Sequence, residues 1–253
     1  MKRFSVIAIS ALLTVTAVSF AAPTHPLPST VGLAIADKNR PAEDRALDDE
    51  RHPAAVLGFT GIKRGDIVVD LMPGKGYYTR LFSHMVGPTG KVIALQPTEM
   101  DTKAPKGLIS VRGFAGKEPY ANVSVIVEPV TDLKLPEPVD VIWTSQNYHD
   151  LHDPFMGSPD MAKLDKQLFD ALKPGGTLIV LDHAAAAGTG ISKTDDLHRI
   201  DPAAVKSELT AAGFQFDSES DAMRNPADDH TKGIYDASIK GHTDRFIYKF
   251  HKP

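Results

Sequence analysis

From about residue 66 onward, short apolar runs alternate with amphipathic stretches. "DIVVDL" (66–71), "KVIALQP" (91–97), "NVSVIVEP" (122–129), "VDVIWTS" (139–145) and "TLIVLDH" (177–183) are nearly continuous and rich in β-branched residues. Such runs, rather than strict alternation, mark strands of a parallel sheet covered by helices on both faces. Between the first two, Tyr78, Leu81, Phe82 and Met85 fall at i, i+3, i+4 and i+7, and Gly87-Pro88 stops the helix that they predict. Met161, Leu164, Leu168 and Leu172 mark a second helix, ended by Pro174-Gly175-Gly176. Asp201-Pro202 reads as a cap with proline at the first helical position, and Val205, Leu209 and Ala212 continue one face to Gly213. "FQFDSES" and "DRFIYKFHK" are two closing strands joined by a long polar loop, 220–241, without a helix. The pattern predicts an α/β fold: a doubly wound, mostly parallel seven-stranded sheet with an antiparallel last strand.

Upstream, "PAEDRALDDERHPAAVLGF" (41–59) begins as a charged helix that Pro53 interrupts, and its charges are read mainly as a solvated face. Residues 1–21 have the charged start, apolar body and small-residue exit of a signal peptide, with cleavage predicted after Ala21. The run is short for a membrane span, so no stable anchor is expected, and the chain is expected in the periplasm or secreted. Residues 22–40, with the proline-rich "PTHPLPST" at 23–30, are expected to be a linker.

Composition narrows the chemistry. Charged residues make up 24% of the 253 and hydrophobic ones 42%, an ordinary globular balance. The formal charge of −4 would become −6 once Lys2 and Arg3 leave with the leader, and with no basic stripe a nucleic-acid partner is not expected. Cysteine is absent, which excludes disulfides, thiolate metal sites and cysteine nucleophiles.

The first predicted strand runs into "DLMPGKGYYT" (70–79), a glycine turn entering a helix. Free N–H groups and the helix dipole make such a turn a ligand seat. A phosphate loop requires G-x-x-x-x-G-K-[ST], but Gly74-Lys75 is followed by Gly76. A dinucleotide loop requires G-x-G-x-x-G, and Thr79 occupies its third glycine position. The remaining pattern is D-x-G-x-G-x-G, whose acid ends the strand.

In that form, Asp70 to Gly76 resembles motif I of the class I S-adenosylmethionine-dependent methyltransferases, with Met72 where their first glycine usually sits. The resemblance spans about residues 54–252 and includes the strand–helix order, "LKPGGTLIVLDH" and the closing antiparallel strand. More narrowly, "DRALDDERHP", "PGKGYYT", "NYHDLH", "LHRID" and "GHTDRF" resemble exported bacterial predicted methyltransferases. The resemblance implies S-adenosylmethionine as cofactor, with a methyltransferase-like domain over 41–253 capped by 41–59. It places Gly74 and Gly76 under the methionine moiety, Met72 and Pro73 in the same cofactor-binding turn, Asp70 near the amino group and Lys75 by the carboxylate. Tyr77 is expected to line the pocket and Tyr78 to pack in the core. Gln96 stands where the family usually carries a ribose-binding acid; its amide still donates and accepts. Glu128, before Pro129, takes the place nearest the adenine position.

Three polar clusters fall beyond the predicted strand ends, where ligands sit in such sheets: "SQNYHDLHD" (145–153), Asp182-His183 and His198-Arg199. Methyl transfer needs an acceptor held in line and often a base. His149 and His183 are the candidate catalytic groups, with Tyr148 as an orienting partner, and Asn147 and Arg199 are candidate contacts to a small-molecule substrate. His198 is read as structural. Small residues in "AAAAGTGISKTDD" (184–196) are expected to form a lid. Two other functions fit the same residues: a binding module on this fold without turnover, and a metal-dependent hydrolase using His149, His152 and His183 with nearby aspartates. No metal ligand is assigned.

Overall fold

The computed structural model describes residues 30–253. The predicted signal peptide and the first part of the predicted linker lie outside the described residues. Four short helices, α1 (Thr30–Ile35), α2 (Ala42–Arg45), α3 (Asp48–Arg51) and α4 (Pro53–Thr60), precede β1 (Ile67–Leu71). Then come α5 (Tyr77–Val86), β2 (Lys91–Pro97), α6 (Thr98–Lys103), α7 (Pro105–Phe114), β3 (Val123–Glu128) and β4 (Val139–Ser145). The chain continues through α8 (Met161–Ala171), β5 (Leu172–His183), α9 (Thr194–Leu197), α10 (Pro202–Ala211), β6 (Gln215–Ser220) and β7 (Arg245–His251). Among the described residues no helix is long and apolar enough to cross a membrane.

The seven strands form one sheet in the order β3-β2-β1-β4-β5-β7-β6. All neighbours are parallel except β7, which runs antiparallel to both β5 and β6. The order reverses at β1, whose two sides pair with β2 and β4, so the C-terminal ends of β1, β2 and β4 open the crevice in which such sheets bind ligands.

The apolar runs are continuous because alternate residues enter different cores. Val68, Val92, Val141, Trp143, Ile179 and Leu181 face α4 and α5, packing with Leu57, Tyr78, Leu81, Phe82 and Met85. Val69, Leu71, Ile93, Ile142, Leu178 and Val180 face the other side, with Leu164 and Leu168 of α8 and Val205 and Leu209 of α10. The Asp201 side chain accepts from Ala203 N at 2.9 Å, the predicted cap.

Three expectations change. The linker does not reach residue 40, because α1 packs its buried Ala34 into the α4–α5 core and the Arg40 guanidinium bonds Asp48 Oδ2 at 2.9 Å. The cap charges are solvated only in part: Glu43, Arg45 and Asp49 are exposed, but Asp44 is buried and pairs with Arg80 at 3.0 Å. The 184–196 segment is tied to the body rather than free as a lid. Ala185 N donates to Ile200 O at 2.9 Å, Gly188 N to the Asp201 carboxylate at 2.7 Å, and Asp201 N to Gly190 O at 3.1 Å.

Candidate functional site

A cavity of about 540 Å³ lies at the strand-order reversal. That volume suits a small-molecule ligand. Met72, Gly74 and Lys75 of the glycine turn form one side, with Gln96 at the end of β2. Met100, Lys103 and the first residues of α7, Ala104 to Gly107, form the next. Asn147, Asp150, Phe155, His198 and Tyr235 form the far wall. Charge is therefore divided. Lys75, Lys103, Lys106 and the α7 N-terminus favour an anionic group at one end, and the Asp150 carboxylate stands at the other.

The turn is held from several directions. Met72 adopts φ 57, a left-handed conformation, as do Gly74 at 54 and Gly76 at 86. Met72 N donates to Leu95 O at 2.8 Å, and the Asn147 amide donates to Met72 O at 2.9 Å. Gly76 meets α7 so closely that a Cβ there would lie 2.8 Å from the Phe114 ring. Arg80, paired with Asp44 of the cap, also donates to Lys75 O at 3.1 Å.

Asp70, Pro73 and Gly76 belong to this turn without lining the cavity. Asp70 lies beneath it, 2% exposed, and accepts the Thr79 hydroxyl at 2.5 Å. Burial raises its carboxyl to about 7 against the opposing pull of that hydrogen bond. Tyr77 does not face the cavity. Its hydroxyl donates to Asp48 at 2.7 Å and the Arg51 guanidinium lies 4.6 Å over its ring, so it anchors the cap. Tyr78 is buried against Trp143, as expected. Glu128 lies at the end of the outer strand β3, paired in register with Pro97, and does not reach the cavity.

The far wall departs most from the sequence reading. Tyr148 is fully buried with its hydroxyl at 3.0 Å from Asp165 and 3.1 Å from Glu208. Its hydroxyl is committed to those carboxylates away from the cavity, and burial, then their charges, raise the phenol well above the ordinary value. Arg199 is likewise buried, paired with Asp228 at 2.8 Å and donating to Lys232 O and Ala184 O. It fastens the 221–244 connection to the sheet and is not open to a substrate.

His149 lies behind Asp150 and is almost fully buried. Asp182 accepts from its backbone N and sits 2.8 Å from its Nδ1. Burial alone would lower the imidazole, but the Asp182 carboxylate outweighs it and holds the ring up at about 9. His183 turns away to the Thr243 hydroxyl at 2.7 Å, and burial lowers it to about 3, so it stays neutral. Its ring centre is 6.1 Å from that of His149. Burial raises the Asp150 carboxyl to about 6, against the pull of His149.

His198, taken as structural from sequence, lines the cavity. It follows α9 in a left-handed conformation at φ 53, and the parallel bridge from Ala184 to Ile200 brings it back to the sheet edge. Its ring stands 5.5 Å from His149 and 5.3 Å from Tyr235. Burial, then the charge of His149, lowers its pKa. One donor atom each from His149, Asp150 and His198 lie within 4.8 Å of one another, a set able to hold a metal ion. The earlier grouping changes: His183 turns away, and His152 pairs with Glu208 at 3.3 Å. Asp150 was read only as a possible metal ligand and His198 as structural, and Lys103, Lys106 and Tyr235 carry no reading from sequence. The "LHRID" stretch, which ends on the predicted helix cap Asp201, is the local signal for His198.

No protein-family model matches the chain. Among curated proteins it is similar to the ubiquinone/menaquinone biosynthesis C-methyltransferase UbiE of Salmonella arizonae, 30% identical over 142 residues, 56% of this chain and 52% of that protein. The Pseudomonas aeruginosa protein of the same description is 27% identical over 145 residues, 56% of this chain and 51% of its own. The chain spans about half the length of the curated relatives it matches. Among solved structures it is similar to a SAM-dependent methyltransferase from Aquifex aeolicus, with a TM-score of 0.53 and 22% identity over 85% of this chain and 100% of that one. An arsenic(III) S-adenosylmethionine methyltransferase from Chlamydomonas reinhardtii gives a TM-score of 0.56 and 16% identity over 90% and 74%. The fold is the Rossmann-like one of these methyltransferases.

Proposed function

We propose that the chain is an S-adenosylmethionine-dependent methyltransferase acting on a small-molecule acceptor. One observation carries this reading: a single cavity at the strand-order reversal joins the glycine turn and Gln96 to a separate polar wall of Asn147, Asp150 and His198. The methionine part of the cofactor lies over Gly74, its carboxylate toward Lys75 and the α7 N-terminus, and its ribose at the Gln96 amide. The acceptor occupies the far wall. An acceptor lone pair forms the new bond to the methyl carbon while the carbon–sulfur pair returns to sulfur, turning a sulfonium into a neutral thioether. An acceptor bearing a proton must also lose it, and Asp150 and His198 are the cavity-facing groups that can direct that loss. The relatives named as C-methyltransferases support the transfer, and the predicted leader supports an extracytoplasmic location, which a compartment reporter on the full chain tests.

Calorimetry with S-adenosylmethionine and S-adenosylhomocysteine tests the cofactor site. Both are expected to bind the chain, and Gly74→Arg, which fills the turn, is expected to abolish binding. No binding at millimolar cofactor overturns the proposal.

A further inference from the structure

The far wall of the cavity carries more than a surface for an acceptor. His149 Nε2 is 3.4 Å from Asp150 Oδ1, and His198 Nδ1 is 3.7 Å from the same oxygen. Metal–ligand bonds of ~2.0–2.2 Å at tetrahedral angles set ligand atoms about 3.4 Å apart. The existing separations therefore need only small side-chain rotations, with the His149 Nε2 proton released to solvent, to close on an ion.

Two features outside this trio point the same way. Asp182 holds His149 by Nδ1, which fixes the ring and turns Nε2 toward Asp150. A carboxylate on the remote nitrogen is the usual partner of a metal-bound imidazole. Asp153 is fully buried, and its two oxygens have at most the Thr194 hydroxyl beside them for a partner. Its charge acts on both His149 and His198. A buried carboxylate left this way is costly, and a dication among the neighbouring side chains offsets that cost.

We propose that His149 Nε2, Asp150 and His198 Nδ1 bind a divalent transition metal of the zinc, iron(II) or manganese type on the acceptor side of the cavity. Two imidazoles and a carboxylate suit these ions better than magnesium or calcium. Three protein ligands leave positions open toward the cavity, where Asp150 and His198 are lining residues. The role of the ion rests on the methyltransferase reading. It binds the acceptor through an anionic oxygen, whose proton passes to solvent, and so fixes that molecule opposite the methyl group. The acceptor class is thus an oxygen chelator, such as an enolate, a phenolate or a hydroxy acid.

Cobalt(II) is the probe, titrated into the full, untagged chain and followed by visible ligand-field absorption and by metal content after gel filtration. One equivalent is expected. Asp150→Asn and His198→Asn should each weaken uptake by at least about 100-fold, since ligand loss exceeds the effect of losing an outer partner. Asparagine at 198 tolerates the left-handed backbone, so this variant keeps the fold, and circular dichroism checks it. His84→Gln, at a half-exposed histidine on α5, should bind like the parent. No cobalt uptake, or uptake unchanged in both ligand variants, overturns the metal site. S-adenosylmethionine binding to the metal-free chain is measured separately. Cofactor binding without cobalt uptake leaves the methyltransferase reading standing and removes the metal, and cobalt uptake without cofactor binding does the reverse.

Discussion

Asp70 offers the sharpest test of how the turn is built. Its carboxyl is buried beneath the turn with one hydroxyl donor, and burial raises it from 3.8 to about 7. Between those values the folded chain holds a proton that the unfolded chain has lost. Stability therefore falls as pH rises across this window, is unaffected by the group below about 4, and carries the full penalty above about 7. A shift of about three units corresponds to about 4 kcal/mol. Asp70→Asn keeps the shape and the acceptor for Thr79 but cannot ionise. Its amide N–H groups bring a pH-independent cost of about 1–3 kcal/mol if they stay unpaired. Urea unfolding at pH 4.5 and 8.5 reads the outcome through Trp143, the chain's one tryptophan, which is fully buried. Relative to the parent, the variant should gain about 3–4 kcal/mol on going from the lower to the higher pH. Comparing the two proteins at each pH removes the other titrating groups. A parent–variant difference that is the same at both pH values would refute the reasoning, since Asp70 would then carry no raised pKa, the opposing charge of Arg51 and the Thr79 hydrogen bond having offset its burial.

Two further outcomes follow from close contacts. A Cβ on Gly107 would lie 3.0 Å from Gly74 O, so Gly107→Ala should push α7 off the turn, cost about 1 kcal/mol and weaken S-adenosylmethionine binding several-fold in calorimetry; unchanged affinity would show that the α7 start does not shape the cofactor seat. Arg199→Met should destabilise the fold by about 3–5 kcal/mol by stranding Asp228, and should speed amide exchange across 221–244, whereas a substrate contact at Arg199 would leave both measurements near the parent.

How much of this was legible follows from where each signal resides. The central strands β1, β2, β4 and β5 could be read because a sheet buried on both faces forces apolar residues at successive positions, as in "VDVIWTS", where Trp143 enters one core and Ile142 the other. The helices between β2 and β3 could not. Proline and glycine interrupt "TEMDTKAPKGLISVRGF", and of the α7 residues only Leu108 and Val111 are buried, too few to mark a face. The glycine turn, Gln96 and Asn147 were legible because each sits at a strand end. Tyr148 and Arg199 misled because residue type announces chemistry whereas burial decides it. Tyr148 points back to Asp165 and Glu208 under the sheet, and Arg199 to Asp228, contacts between residues 17 to 60 positions apart that no local pattern reveals. His198 was missed for the converse reason. Its place depends on a left-handed turn and on a bridge from Ala184 to Ile200, and Tyr235 meets it from a connection without regular structure.

Met72 shows how a departure from a motif can leave the geometry intact. Where a glycine is usual, a side chain in the left-handed conformation costs about 1–2 kcal/mol. Met72 nevertheless adopts φ 57. Its side chain is buried in the core with Leu71 and Leu95, a gain of about 1.5–3 kcal/mol that glycine would forgo. Its N–H and carbonyl are both bonded, to Leu95 and to Asn147. The gain from burial is as large as the backbone cost, so the turn keeps the shape that the glycine pattern implies. Asn147 makes the same bond that fixes the start of the polar wall, since the residues after it carry Asp150 to the far side of the cavity. One amide therefore sets both the turn on which the cofactor would rest and the spacing to the groups that would hold its acceptor. Methyl transfer requires that spacing to be fixed before the two ligands arrive.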